Sequence, residues 1–391
     1  MKSIIIYILI AVLVVGCFAG CNNASTVTSS NETSSLDAVS DEQSSVVNED
    51  SSSDGEPVAT AEYTSINGHT LRRGININSL EGETWGNDKY LYDEFTFKNI
   101  SEKGFDHVRL PVDFRLFADE EGNLIDSKMK VIDKIIETSH KYNLVVFLDF
   151  HGWYYLNTYK GDGELFKTLW KNVTIRYKDY QKNDMLIFEL INEPHPTEGS
   201  NLDLKNLEIL QCETADIIRE ISPERTICFT TTDSSKPETL VPLENGYDFR
   251  DTKIMEYDNI IIAIHIYHPD AWTGQGLDWW KHVDRYEDYD FVPVYLDRFL
   301  LSETEMALKN MADFKKETGI PVIMNEFGWN TLACREEDQV KFMQTMMDCL
   351  NENGIPCTWW AYNNGEMALY RKKNMFSKAE WNDLLVDMLL K

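Results

Sequence analysis

Two glutamates, each closing a short apolar run, are the residues of this chain best suited to chemistry. Glu193 ends Met185-Leu-Ile-Phe-Glu-Leu-Ile-Asn192-Glu193, with Pro194 and His195 behind it, and Glu326 ends Ile320-Pro-Val-Ile-Met-Asn325-Glu326. Short apolar runs bounded by turn residues read as strands covered on both faces, as in a parallel sheet. Proline has no N–H to continue a ladder, so Pro194 puts Glu193 at the C-terminal lip of its strand. Two carboxyl groups at the same end of two parallel strands are what glycosidic-bond hydrolysis needs: one protonates the leaving oxygen and the other attacks or serves as base. Either motif alone says little; the pair, in matching strand contexts, carries the reading.

The elements that must position this pair follow from periodicity. Strands are expected at about 71–77, 106–110, 144–150, 185–191, 226–231, 259–266, 320–326 and 356–361, with helices over 127–142, 203–221, 303–318 and 336–353. Ser222-Pro223, Gly319 and Gly354 supply helix stops. Eight strand and helix units without an internal composition break point to a (β/α)₈ barrel as a single catalytic domain, with a doubly wound open sheet as the other arrangement. In a barrel, functional side chains gather at the C-terminal strand ends. There the sequence places Asn76, Asn78, Arg109, His151, Asn192, Glu193, His265, Tyr267, Glu326, Trp359 and Trp360.

Composition narrows the partners. With 37 Lys+Arg against 65 Asp+Glu, the 391-residue chain carries a formal charge of −28, a field that repels nucleic-acid phosphates and anionic lipid surfaces. A neutral partner fits this surface. Among eight histidines no pair has metal-site spacing beside a carboxylate set, and no metal or other cofactor is expected. Cys212, Cys228, Cys334, Cys349 and Cys357 are odd in number and widely spaced, unlike a disulfide framework, although one bridge stays open.

Residues 1–21 read as a targeting segment: Met1-Lys2, then the apolar run Ile4 to Val15, then small residues before Cys17 and Cys21. The pattern resembles a bacterial lipoprotein signal. Cys17 fits its box at every position, whereas the polar tail starts directly after Cys21, so either Cys21 or Cys17 is the acylated residue. An uncleaved membrane anchor is the alternative. Residues 22–61 are rich in Ser, Thr, Asp and Glu without a single Lys or Arg, a composition expected to form a disordered tether. The barrel is expected over 62–391, at the cell surface or outside the cell, touching the membrane only through its N-terminal anchor, and as a monomer.

The set Arg109, His151, Asn192-Glu193-Pro194, His265-x-Tyr267, Asn325-Glu326-Phe327-Gly328 and Trp360 resembles glycoside hydrolase family 5, and Gly74-Ile-Asn, Leu80-Glu-Gly82, Trp85-Gly86 and Trp360-Ala-Tyr362 are similar to its small bacterial endoglucanases. The resemblance covers about 70–391 and implies a role for each position. Glu193 would be the acid/base and Glu326 the nucleophile, held about 5–5.5 Å apart in the retaining manner. Arg109 would keep Glu326 ionised, and Tyr267 would donate to it. His151, His265, Asn192 and Asn78 would bind sugar hydroxyls, with Asn192 reaching the 2-OH. Trp360 would form the floor under the sugar ring, and Trp85, Trp153, Trp272 and Trp279 or Trp280 are candidates for neighbouring subsites.

The implied substrate is a neutral β-1,4-linked glucan, cellulose or mixed-linkage glucan, with mannan or xyloglucan open because two stretches depart from the family. Residues 233–258 are longer than the usual loop before the sixth strand, and Trp272-Thr-Gly-Gln-Gly276 is not the expected loop. Two other classes are a metal-dependent barrel hydrolase and a surface lipoprotein that captures polysaccharide without cutting it.

Overall fold

Parallel strands that are apolar on both sides can satisfy their backbone and cover their faces only inside a ring of helices. Such a ring is what forms. The structure, a computed structural model, describes residues 62–66, 68–82, 92–152, 163–180, 185–194, 204–277, 293–363 and 365–391. Readings made for residues 1–61 and for Trp85, Trp153, His195, Trp279 and Trp280 lie outside the described residues. Eight parallel strands close a barrel in the expected order: β1 (Arg73–Asn76), β2 (His107–Val112), β3 (Val145–Phe150), β4 (Leu186–Glu189), β5 (Ile227–Thr230), β6 (Ile260–Ile266), β7 (Val322–Phe327) and β8 (Cys357–Trp359). Closure is the pairing of Cys357 with Arg73 and Trp359 with Ile75.

Among the described residues seven helices of eight residues or more wrap the strands: α1 (Glu94–Lys103), α2 (Asp126–Lys141), α3 (Gly163–Arg176), α4 (Leu204–Ile221), α5 (Arg298–Thr318), α6 (Glu336–Asn353) and α7 (Asp383–Leu390). Asp93 caps α1 through the Thr96 N–H, and Gly319 and Gly354 end α5 and α6 in the left-handed conformation. Between β5 and β6 the described residues hold no comparable helix. The stretch marked by its unusual length contains 3₁₀ turns at Pro237–Leu240, Phe249–Asp251 and Lys253–Glu256 instead.

Alternation along each strand divides the apolar residues into two cores. Val145, Phe147, Ile187, Cys228, Ile261, Ala263 and Ile323 fill the barrel, and Ile66 and Leu71 join them from a short N-terminal hairpin, Ser65–Ile66 with His69–Thr70. The outward set, including Val108, Leu110, Val146, Leu148, Ile262 and Ile264, packs beneath the helices. Above the interior apolar residues the inward positions turn polar, a change that sets the site. The five described cysteines are free and, apart from the half-buried Cys349, buried. Among the described residues no helix is long and apolar enough to cross a membrane.

Gly74 shows how tightly the barrel closes. A Cβ there would lie 2.2 Å from the His107 ring, and that ring is pinned by Asp106 Oδ1 at 2.5 Å and Thr358 Oγ1 at 2.8 Å. Gly74→Ala is therefore expected to destabilise the fold by about 1–3 kcal/mol, read as a lower urea midpoint at unchanged slope. A wild-type midpoint would show that the ring has room to move.

Candidate active site

The centre of the site is a buried guanidinium. Arg109, on β2, is fully buried, and an unpaired charge there would cost far more than the fold can supply. Its Nε and Nη2 donate to Glu189 at 2.9 and 2.8 Å, its Nη1 to Glu326 Oε2 at 2.8 Å and to Asn76 Oδ1 at 3.1 Å. Nη2 also lies 2.8 Å from Asn192 Oδ1 and 2.9 Å from Asp149 Oδ2. Burial opposes the arginine charge, but Asp149, Glu189 and Glu326 together hold its pKa well above the usual value.

The two sequence-marked glutamates meet over this network. The Glu193, His265 and Glu326 ligand atoms all lie within 4.8 Å of one another. Tyr267 donates to Glu326 Oε1 at 2.8 Å, while His265 Nδ1 sits 2.7 Å from Glu193 Oε1 and 3.8 Å from Glu326 Oε2. His265 and Tyr267 thus reach the carboxyl pair from the same side of β6, as their spacing of two requires. Burial pushes the His265 pKa down to about 4, so the ring is neutral at ordinary pH. Burial, reinforced by Glu326 and Glu193, keeps the Tyr267 phenol protonated. By spacing alone the three side chains could hold a cation. A divalent ion beside Glu326, however, would face the Arg109 charge at contact distance and compete with the Tyr267 hydroxyl for the same carboxylate.

Around this pair lie the other expected residues. Asn192 offers its oxygen to Arg109, which leaves its NH₂ as the group free to donate. The His151 ring stacks on Trp360 with centroids 5.8 Å apart and planes 16° apart, and its Nδ1 lies 2.7 Å from Asp149 Oδ2. Trp360 is half-buried, leaving part of its face open. Asn78 is buried beside Glu81, and its backbone oxygen accepts from Tyr92 at 3.1 Å.

Trp272 is a correction. It is fully buried, with its ring 4.8 Å from Phe342 and 5.7 Å from Trp329. The turn Asp270–Thr273 folds it back under α6, so it is a core residue and offers no sugar platform.

Three carboxyl groups of the site have no role assigned from the sequence. Asp149 and Glu189 lie within apolar strand runs, yet an acid inside a strand covered on both faces needs a cation, and Arg109 is the cation. Glu81, half-buried near His151, has its carboxyl pKa raised by burial.

This geometry agrees with the comparisons to known proteins. Residues 53–366 match the sequence profile described as Cellulase (glycosyl hydrolase family 5). The chain belongs to this family. It is therefore a glycoside hydrolase. Endoglucanase 3 of Fibrobacter succinogenes is 27% identical over 75% of this chain and 49% of its own length, so the chain spans about half of that relative. Endoglucanase C of Acetivibrio thermocellus is 25% identical over 78% of this chain and 94% of its own. Among solved structures, Thermotoga maritima Cel5A in complex with mannotriose aligns with a TM-score of 0.69 and 25% identity over 82% of this chain and 97% of that one.

Asp149 gives the site a pH signature. Burial, against the pull of Arg109, raises its carboxyl to about 7, whereas in the unfolded chain it titrates near its ordinary value of about 4. Between those values the native state holds a proton that unfolding releases, so stability falls as pH rises from about 4 to about 7. Asp149→Asn removes this titration. The wild-type minus variant unfolding free energy should decline across that window by on the order of 1 kcal/mol per pH unit. Urea melts at three pH values measure it, and a constant difference would mean that the carboxyl is ionised throughout.

Proposed function

We propose that this chain is a retaining endo-acting glycosidase that cleaves β-1,4-linked glucan, cellulose or mixed-linkage glucan, by double displacement. The observation that supports this most is the approach of the Glu193 and Glu326 carboxyl groups, whose closest atoms lie within 4.8 Å. Inverting enzymes keep their pair about 6.5–9.5 Å apart to admit a water, and retaining enzymes about 5–5.5 Å.

In the first step Glu326 attacks the anomeric carbon while Glu193 gives its proton to the leaving glycosidic oxygen. In the second, Glu193 takes a proton from water, which attacks the same carbon and releases Glu326. The surroundings suit these roles. Glu326 is buried and receives hydrogen bonds from Arg109 and Tyr267, which fix the position of both its carboxyl oxygens. Glu193 is more open, with 27% of its side chain exposed, as a group exchanging protons with a leaving group and with water must be. Asn192, oriented by Arg109, would donate to the 2-OH, where hydrogen bonds tighten as the oxocarbenium character develops. Trp360, backed by His151, would carry the apolar face of the ring.

Specificity within this chemistry is open between glucan and mannan, because Thermotoga maritima Cel5A has been solved with both mannotriose and cellobiose. The apolar run before Cys17 and Cys21 supports attachment of the enzyme to the cell surface through an acylated cysteine.

Glu193→Ala and Glu326→Ala should each lower turnover of a soluble β-glucan by several orders of magnitude with unfolding midpoints near wild type. Azide should rescue only Glu326→Ala, giving a product of inverted configuration by NMR. Wild-type release of reducing sugar by either variant would end the assignment, and no release by the native chain would favour a capture protein. Screening cellulose, mixed-linkage glucan, xyloglucan and mannan ranks the substrates. Activity abolished by a chelator and restored by a divalent metal would return the metal-dependent class.

A further inference from the structure

Beneath the Glu193–Glu326 pair the barrel interior carries polar atoms that no described residue matches. Cys228, Ala263 and Ile323 point into the barrel from β5, β6 and β7. Two residues further along stand Thr230, His265 and Asn325, which are 0%, 2% and 0% exposed; a register shift sets His265 beside Glu326 and leaves Asn325 as the extra residue of a bulge. Among the described residues Thr230 Oγ1, His265 Nε2 and both Asn325 Oδ1 and Nδ2 have no hydrogen-bond partner. Buried polar atoms in folded proteins are almost always matched, by the chain or by ordered water. Ala263, registered beside Thr230, contributes only a methyl group at the foot of His265. These four unmatched atoms stand on three adjacent strands beside a small side chain, and a buried water, which makes about three hydrogen bonds, is the group that would match them.

The site matters through the other nitrogen of His265. A neutral imidazole has one donor and one acceptor nitrogen, and the partner of each fixes which is which. Nδ1 lies 2.7 Å from Glu193 Oε1. If Nδ1 were the acceptor, the Glu193 proton would have to sit on Oε1 and point at the ring, away from the sugar. If Nδ1 is the donor, Oε1 is engaged in both protonation states and the mobile proton is confined to Oε2.

We propose that Thr230 and Asn325 hold a buried water that donates to Nε2 of His265, locking the ring as its Nδ1–H tautomer and so aiming the Glu193 proton at the glycosidic oxygen. Thr230 and Asn325 are then positioning residues for the reaction. The inference rests on Glu193 being the acid/base. The charged and titratable groups facing His265 are Glu193, Glu326, Arg109, Glu189 and His151; with burial they leave the ring neutral, so the choice is between tautomers.

The test is side-chain ¹⁵N NMR of the full chain, with the His265 signals assigned by their loss in His265→Asn. A protonated Nδ1 with an unprotonated, hydrogen-bonded Nε2 is expected; an Nε2–H ring overturns the lock without touching the assignment of Glu193. Thr230→Val should convert the signal to a tautomer mixture and lower kcat about tenfold with KM within about twofold. It should also move the alkaline limb of the kcat profile to higher pH, because ionised Glu193 loses the Nδ1–H donor. Thr230→Ser should restore all three. A Thr230→Val enzyme with an unshifted limb and an unchanged ring signal overturns the proposal, whereas an active Glu193→Ala enzyme overturns the acid/base reading instead.

Discussion

One guanidinium governs the architecture of this site. Arg109 lies within 2.9 Å of oxygens from Asp149, Glu189 and Glu326, and also holds Asn76 and Asn192. Those partners come from β1, β3, the β4 end and β7, so five strands, counting its own, must be in register before the charge is satisfied. A shift of one residue in any of them would turn its partner to the opposite face and leave charge uncompensated in the interior. The barrel closure and the placement of the two glutamates are thus one constraint seen twice. Glu326 cannot leave its position without unpairing the arginine that the other carboxylates also need.

The barrel was legible because parallel strands buried on both faces leave unbroken apolar runs. All eight appear where those runs lie, with ends moved by at most two residues. Helices were legible from their stops, as at Gly319 and Gly354. The missing helix between β5 and β6 was visible only as excess length, since 3₁₀ turns such as Lys253–Glu256 leave no long periodic stripe. The strand-end residues drew attention through their chemistry, but the acids inside the strands did not. Glu189 in Leu-Ile-Phe-Glu reads as an interruption until its partner, eighty residues earlier, is known. Trp272 was misplaced for the converse reason: a tryptophan in a short polar turn reads as an exposed platform, and only packing against Trp329 and Phe342 reveals it as core.

The division of labour follows the fold. The charged and polar groups of the site sit on strands or a few residues past their C-terminal ends, where a closed hydrogen-bonded ring fixes them. The two stretches expected from the sequence to depart from the family pattern are the long segment between β5 and β6 and the Trp272 turn, and both lie outside the barrel strands. Selection on those segments can alter what approaches the mouth without disturbing the buried ion network, as is common where function is carried by loops on a rigid scaffold.

The small hairpin at the other end of the barrel has an electrostatic consequence. With Ile66 and Leu71 joining the interior core, the low-dielectric lining continues towards the N-terminal end, and among the described residues the polar layer lies at the opposite end. Fields from partly compensated charges in such a cavity are funnelled towards that end. A positive charge growing on a substrate at the mouth would therefore meet a potential shaped by the depth of the barrel, and Ile66 and Leu71 would bear on a reaction they never touch.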